Sequence, residues 1–106
     1  MSAGVEVAWV DERQNTIEMR NDTRGVIASL ATSRWPGLTA TVCLRFVEPW
    51  GDAVFNQTQL PVLLEELRSE VTIAVNAEYN EHLSRVVQLV ERAQNQTHTY
   101  IKFIGD

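Results

Sequence analysis

Residues 41–58, TVCLRFVEPWGDAVFNQT, decide the fold class. Val42, Leu44 and Phe46 alternate with Cys43, Arg45 and Val47, the period of a strand. Pro49 presets φ for a turn, and Gly51 and Asp52 complete the turn chemistry. Ala53–Phe55 then reads as a short second strand. The segment predicts a buried hairpin with Trp50 at its tip, where side chains are usually wet.

Downstream, Thr58 is a candidate cap and Pro61 falls in a first helical turn, where its missing N–H costs little. Leu60, Leu63, Leu64, Leu67 and Val71 recur at helical spacing, with Glu65, Glu66, Arg68 and Glu70 on the opposite face. That helix is expected to end near residues 72–75, where Val71, Thr72 and Ile73 lower helix propensity. A second helix, about 77–94, has Asn76 as its cap and Tyr79, Leu83, Val86, Val87 and Val90 as its apolar stripe. Residues 98–104 read as a closing strand, with Thr99, Ile101 and Phe103 on one face. Its simplest place is beside the 41–47 strand.

Upstream, Val5, Val7 and Trp9 alternate with Glu6, Ala8 and Val10, and Ile17 and Met19 are expected to point inward from a second strand at 16–20. The two would form a hairpin across the polar turn at 11–15. Residues 26–32 fit either a helix or a strand; a short helix is favoured by Ala and Leu, with Thr23 as its cap. Trp35-Pro36-Gly37 is a turn signal. The expectation is one α+β domain over residues 1–106, two-layered, with a mainly antiparallel sheet of four to five strands and two main amphipathic helices on one face.

Composition narrows function. The net charge of −5 argues against nucleic acid and against an anionic membrane surface, both of which ask for basic residues. No apolar run approaches the roughly 20 residues that span a bilayer, and no signal peptide is visible, so the cytoplasm is the expected compartment. The triplets at Asn21, Asn56 and Asn95 then read as turn and cap residues instead of glycosylation acceptors. The single cysteine, Cys43, reads as a small hydrophobe, because no electropositive neighbour is visible to activate it.

A search for chemistry yields no catalytic residue, cofactor site or metal site. Glu78, Glu81 and His82 lie on one helix but lack the paired histidines of a zincin. No nucleophile elbow or phosphate loop occurs. Glu65 with Glu66 reads as a solvated face, whereas Glu48 and Asp52 bracket Trp50. Trp35 and Trp50 both fall in expected loops, where they either fold over the core or form a recognition patch. Arg45 is expected mid-strand, pairing with Glu48 or Asp52 or lining an open sheet face beside Tyr100 and Lys102.

The run from Leu44 to Leu64, LRFVEPWGDAVFNQTQLPVLL, with the terminal YIKFIGD, resembles small uncharacterised bacterial proteins. Small acidic bacterial proteins of this style include immunity proteins that neutralise a secreted toxin. The resemblance implies a non-enzymatic binding protein of the immunity or inhibitor type and carries over no catalytic residues. On this reading Trp50, Glu48, Asp52, Trp35 and Arg45 would meet a protein partner with a basic surface, through occlusion and charge complementarity. Two alternatives stay open. One is a small-molecule-binding domain or small enzyme, with His82, His98, Arg45 and Tyr100 lining a pocket between sheet and helices. The other is a self-associating subunit, a homo-oligomer joined through a sheet edge or helix face.

Overall fold

In the computed structural model, which describes residues 4–38 and 40–105, an antiparallel sheet is covered on one face by helices. The strands are β1 (Glu6–Asp11), β2 (Thr16–Arg20), β3 (Asp52–Phe55) and β4 (Thr99–Ile104), in the order β2-β1-β4-β3. The helices are α1 (Val26–Ser33), α2 (Leu60–Ile73) and α3 (Ala77–Gln94). The expected α+β architecture is thus the observed one, with the short α1 added to the helical layer.

β4 carries the clearest strand pattern, with Thr99, Ile101 and Phe103 buried and Tyr100, Lys102 and Ile104 half-buried. On its inner face Phe103 meets Phe55 of β3 edge-on, with ring centroids 5.8 Å apart. Full burial of a side chain of this size is worth about 1.5–3 kcal/mol. From α2 come Leu60, Leu63, Leu64 and Leu67, and from α3 come Leu83, Val86, Leu89, Val90 and Ala93, all buried. α3 begins as its sequence directs: Asn76 Oδ1 accepts from the amides of Glu78 and Tyr79.

α2 starts at Leu60 without a side-chain cap from Thr58. Asn56 and Gln59 instead bond reciprocally, Asn56 Oδ1 accepting from the Gln59 amide and Gln59 Oε1 from the Asn56 amide. The cap expected at Thr23 rests on a side chain outside the described ones. Asp22 serves α1 instead, accepting from the amides of Ile27 at 2.8 Å and Ala28 at 2.9 Å. Gly25, at φ 64°, makes the left-handed step into that helix, a conformation most side chains resist.

Several sequence expectations are corrected. Residues 41–47 are not a strand; they form a bend and a single 3-10 turn over Leu44–Phe46. β4 therefore has no neighbour there and lies between β1 and β3, pairing Trp9 with Ile101 and Phe55 with Ile101 from opposite sides. Ile17 and Met19 point outward, 43% and 37% exposed. A bulge between Trp9 and Val10 resets the hairpin so that Glu18, not its apolar neighbours, lies opposite Trp9. One residue of slip exchanges the two faces of a strand. Arg92 of α3 meets Glu18 there and lies over the Trp9 ring, which explains the acid on that side.

Candidate functional site

The segment between α1 and β3 presents three large exposed apolar side chains. Trp50 is 74% exposed, Phe46 60% and Val42 57%. Between them Cys43, Leu44 and Val47 turn inward and are buried. Burial at 43, 44 and 47 follows a turn of helix and not a strand, and this spacing is what separates the loop into an anchored side and an open side.

The anchor is Glu66 on α2. Its carboxylate accepts from three consecutive amides: Val42 at 2.6 Å, Cys43 at 3.1 Å and Leu44 at 3.0 Å. Successive amides converging on one anion form a nest. The sequence places Glu66 on a solvated face; the structure gives it these backbone donors. No motif marks this in the sequence, because the donors are main-chain groups of an irregular segment. The same bonds explain why 41–47 leaves the sheet, since donors that a strand would have paired are taken.

The far end of the loop is fixed by Gly105, just past β4. The Gly105 amide donates to the Gly51 carbonyl at 3.1 Å. A Cβ added to Gly105 would lie 2.6 Å from the carbonyl oxygens of both Pro49 and Gly51, so only glycine lets the turn approach this closely. Trp50 thus projects from a turn held on both flanks.

The residues expected to meet a partner divide. Trp50 is open, and Arg45 is exposed with its guanidinium carbon 5.0 Å from the Phe46 ring centroid, a cation–π stack where an acid pair or an open sheet face was expected. Asp52 stands on the outer face of the sheet with Lys102 Nζ 3.7 Å away. Glu48 folds its carboxylate over Gly51, so close that a Cβ there would meet Oε1 at 2.5 Å. Trp35 is corrected: it is fully buried, and its indole N–H donates to Glu70 at 2.8 Å. Its place among the surface residues passes to Phe46 and Val42, which the strand period had assigned to the core side.

The polar residues of the pocket reading do not converge. His82 is buried, with Nε2 3.5 Å from the Asp22 carboxylate, and borders a hollow of about 240 Å³ lined by Arg24, Glu78, Glu81 and Arg85. Burial lowers the His82 pKa from its ordinary value, against the attraction of Asp22. His98 is exposed at the opposite end of α3, 3.6 Å from Glu12, and borders a different hollow. Arg45 and Tyr100 line neither. Cys43 is buried, and burial with the nearby Glu66 charge pushes its thiol up to about 11, so it is a poor nucleophile at neutral pH. Among the described residues no cluster of three histidine, cysteine or acidic side chains is arranged to hold a metal ion, and no helix is long and apolar enough to cross a membrane.

No protein-family model, curated protein or solved structure matches the chain.

Proposed function

We propose that the chain is a protein-binding domain that docks through the 42–52 segment, with Trp50 and Phe46 as anchors and Arg45 and Val42 beside them. The observation that carries this is the outward presentation of Val42, Phe46 and Trp50 on a loop fixed by Glu66 at one end and Gly105 at the other. Large apolar side chains on a mobile loop would bind at the expense of ordering them; on a fixed loop that cost is already met. Trp and Arg are also the residues that dominate interface energies.

The net charge of −5 favours a partner with a basic surface, chiefly through association rate and specificity. Steric occlusion of such a surface, as an inhibitor of the toxin-immunity type would achieve it, is the form of the proposal that the sequence resemblance favours.

The test is affinity capture from the native host with the wild-type chain and with a Phe46→Ser, Trp50→Ala variant, followed by titration of the purified partner. Both side chains are exposed, so the variant should melt as the wild type does. Loss of two anchors should weaken binding about 30-fold or more. Equal retention of the partner by both proteins would refute the proposed surface.

A further inference from the structure

We infer that the free edge of β3 receives an extended strand from the partner polypeptide, so that binding adds a strand to the sheet. The inference rests on the protein-docking reading above and specifies its geometry.

The sheet has an edge at each end, β2 and β3. Open edges invite pairing, and proteins usually blunt them with bulges, charge or cover. β2 is blunted: it carries the bulge opposite Trp9 and Val10, and its Glu18 is clamped by Arg20 and Arg92. β3 runs in unbroken register with β4 from Asp52↔Ile104 to Phe55↔Ile101; its one charged side chain, Asp52, is drawn toward Lys102 of β4, and it has no bulge and no proline.

The hydrogen-bond phase of β3 follows from one bond. Gly105 donates to Gly51, so these two face each other as a bonded pair. In an antiparallel ladder bonded pairs alternate. Ala53 and Phe55 therefore bond toward β4, whereas the N–H and C=O groups of Asp52 and Val54 point away from the sheet. Among the described residues neither amide donates to a protein acceptor beyond the ladder. Two donors and two acceptors at the spacing of an extended chain are complementary to another extended chain.

The side chains along this edge describe what that strand carries. Val54 is 47% exposed on the outer face, and Trp50 stands at the start of the strand. An apolar residue of the incoming strand would sit beside Val54, and a lysine or arginine beside Asp52 and Glu48. A second copy of this chain fits less well, because each copy has a net charge of −5.

The amides themselves supply the test. Val54→Pro removes an outward donor and leaves the bonds to β4 intact, a substitution that edge strands tolerate. Ala53→Pro removes a donor to β4 and should unfold the chain. Phage-displayed random peptides of about twelve residues serve as the probe, selected on the whole protein. The expected result is peptides with an apolar and a basic residue two positions apart that bind Val54→Pro about tenfold or more weakly, and that slow hydrogen exchange at Asp52 and Val54, both fast in the free chain.

Selected peptides that bind Val54→Pro as well as wild type but lose affinity to Trp50→Ala would overturn strand addition and leave the docking reading standing. Selected peptides indifferent to both substitutions would overturn both. Failure to select any peptide overturns the strand-addition inference, and the docking reading is then judged by capture from the host. Concentration-dependent protection of Asp52 and Val54 without any peptide would assign the edge to a second copy and overturn the heterologous strand.

Discussion

The indole N–H of Trp35 donates to the carboxylate of Glu70 at 2.8 Å in the interior, beneath a loop that joins two layers of the fold. Arg34 reaches the same carboxylate with Nε at 2.8 Å and Nη2 at 3.1 Å, and this pairing raises the arginine pKa further above its ordinary value. Glu70 thus ties the end of α1 and the following turn to α2. Removing it strands a buried donor. Glu70→Ala should cost about 2–3 kcal/mol, whereas Glu70→Gln, which keeps an acceptor for the indole, should cost visibly less. Urea denaturation followed by Trp fluorescence measures both.

Glu66 holds the amides of Val42, Cys43 and Leu44. Glu66→Ala should free those donors to water and lower stability by about 1–3 kcal/mol, since bonds to an ionised acceptor are the stronger kind. Its signature is local. Hydrogen exchange should quicken at residues 42–44 more than in β4. Uniform quickening across the sheet would mean that Glu66 acts on global stability and not on the loop.

Gly105→Ala should drive a methyl group against the carbonyls of Pro49 and Gly51, each 2.6 Å from the new carbon. Overpacking of this kind costs about 1–3 kcal/mol, and relief would move the Trp50 turn, changing its fluorescence. Gly37→Ala is the control, because nothing lies within 4 Å of a Cβ there. A melting temperature for Gly105→Ala equal to that of the wild type would contradict the close approach.

His82 gives the chain an acid sensitivity. Its folded pKa lies below the ordinary value of 6.5, chiefly through burial, with Asp22 opposing and Arg85 assisting. Between the two pKa values the unfolded chain binds more protons than the folded one. The His82 contribution is therefore complete above the unfolded value and is lost as pH falls below 6.5 toward the folded value. Denaturation midpoints at pH 7.5 and 5 should show a drop in wild type that shrinks in His82→Gln. An equal drop in both proteins would place the acid response elsewhere.

Regular elements were legible in the sequence because their faces are written in side chains. Leu60, Leu63, Leu64 and Leu67 defined α2, Asn76 announced α3, and the alternation of Thr99, Ile101 and Phe103 defined β4. The failures share a cause. At 41–47 the chain alternates like a strand, yet its amides are taken by Glu66, a residue that lies more than twenty positions away in the sequence. At 16–20 a bulge, which leaves no compositional trace, turned Ile17 and Met19 outward.

The candidate surface was half legible for the same reason. Trp50 followed from turn chemistry at Pro49 and Gly51, whereas Phe46 was hidden by the strand period and Trp35 is held inward by Glu70, thirty-five positions on in the sequence. Arg45, expected on a strand beside an acid or on an open sheet face, instead stacks on Phe46, because that stack depends on the 3-10 turn.

The strand order β2-β1-β4-β3 has a consequence for synthesis. β4 is translated after every element it joins, and it is the strand that links β1 to β3. Until β4 is available, the β1–β2 hairpin and β3 have no strand to join them into one sheet. Chaperone capture or early proteolysis would find the apolar faces of both halves uncovered during that interval, so residues 99–104 are the segment that closes the sheet.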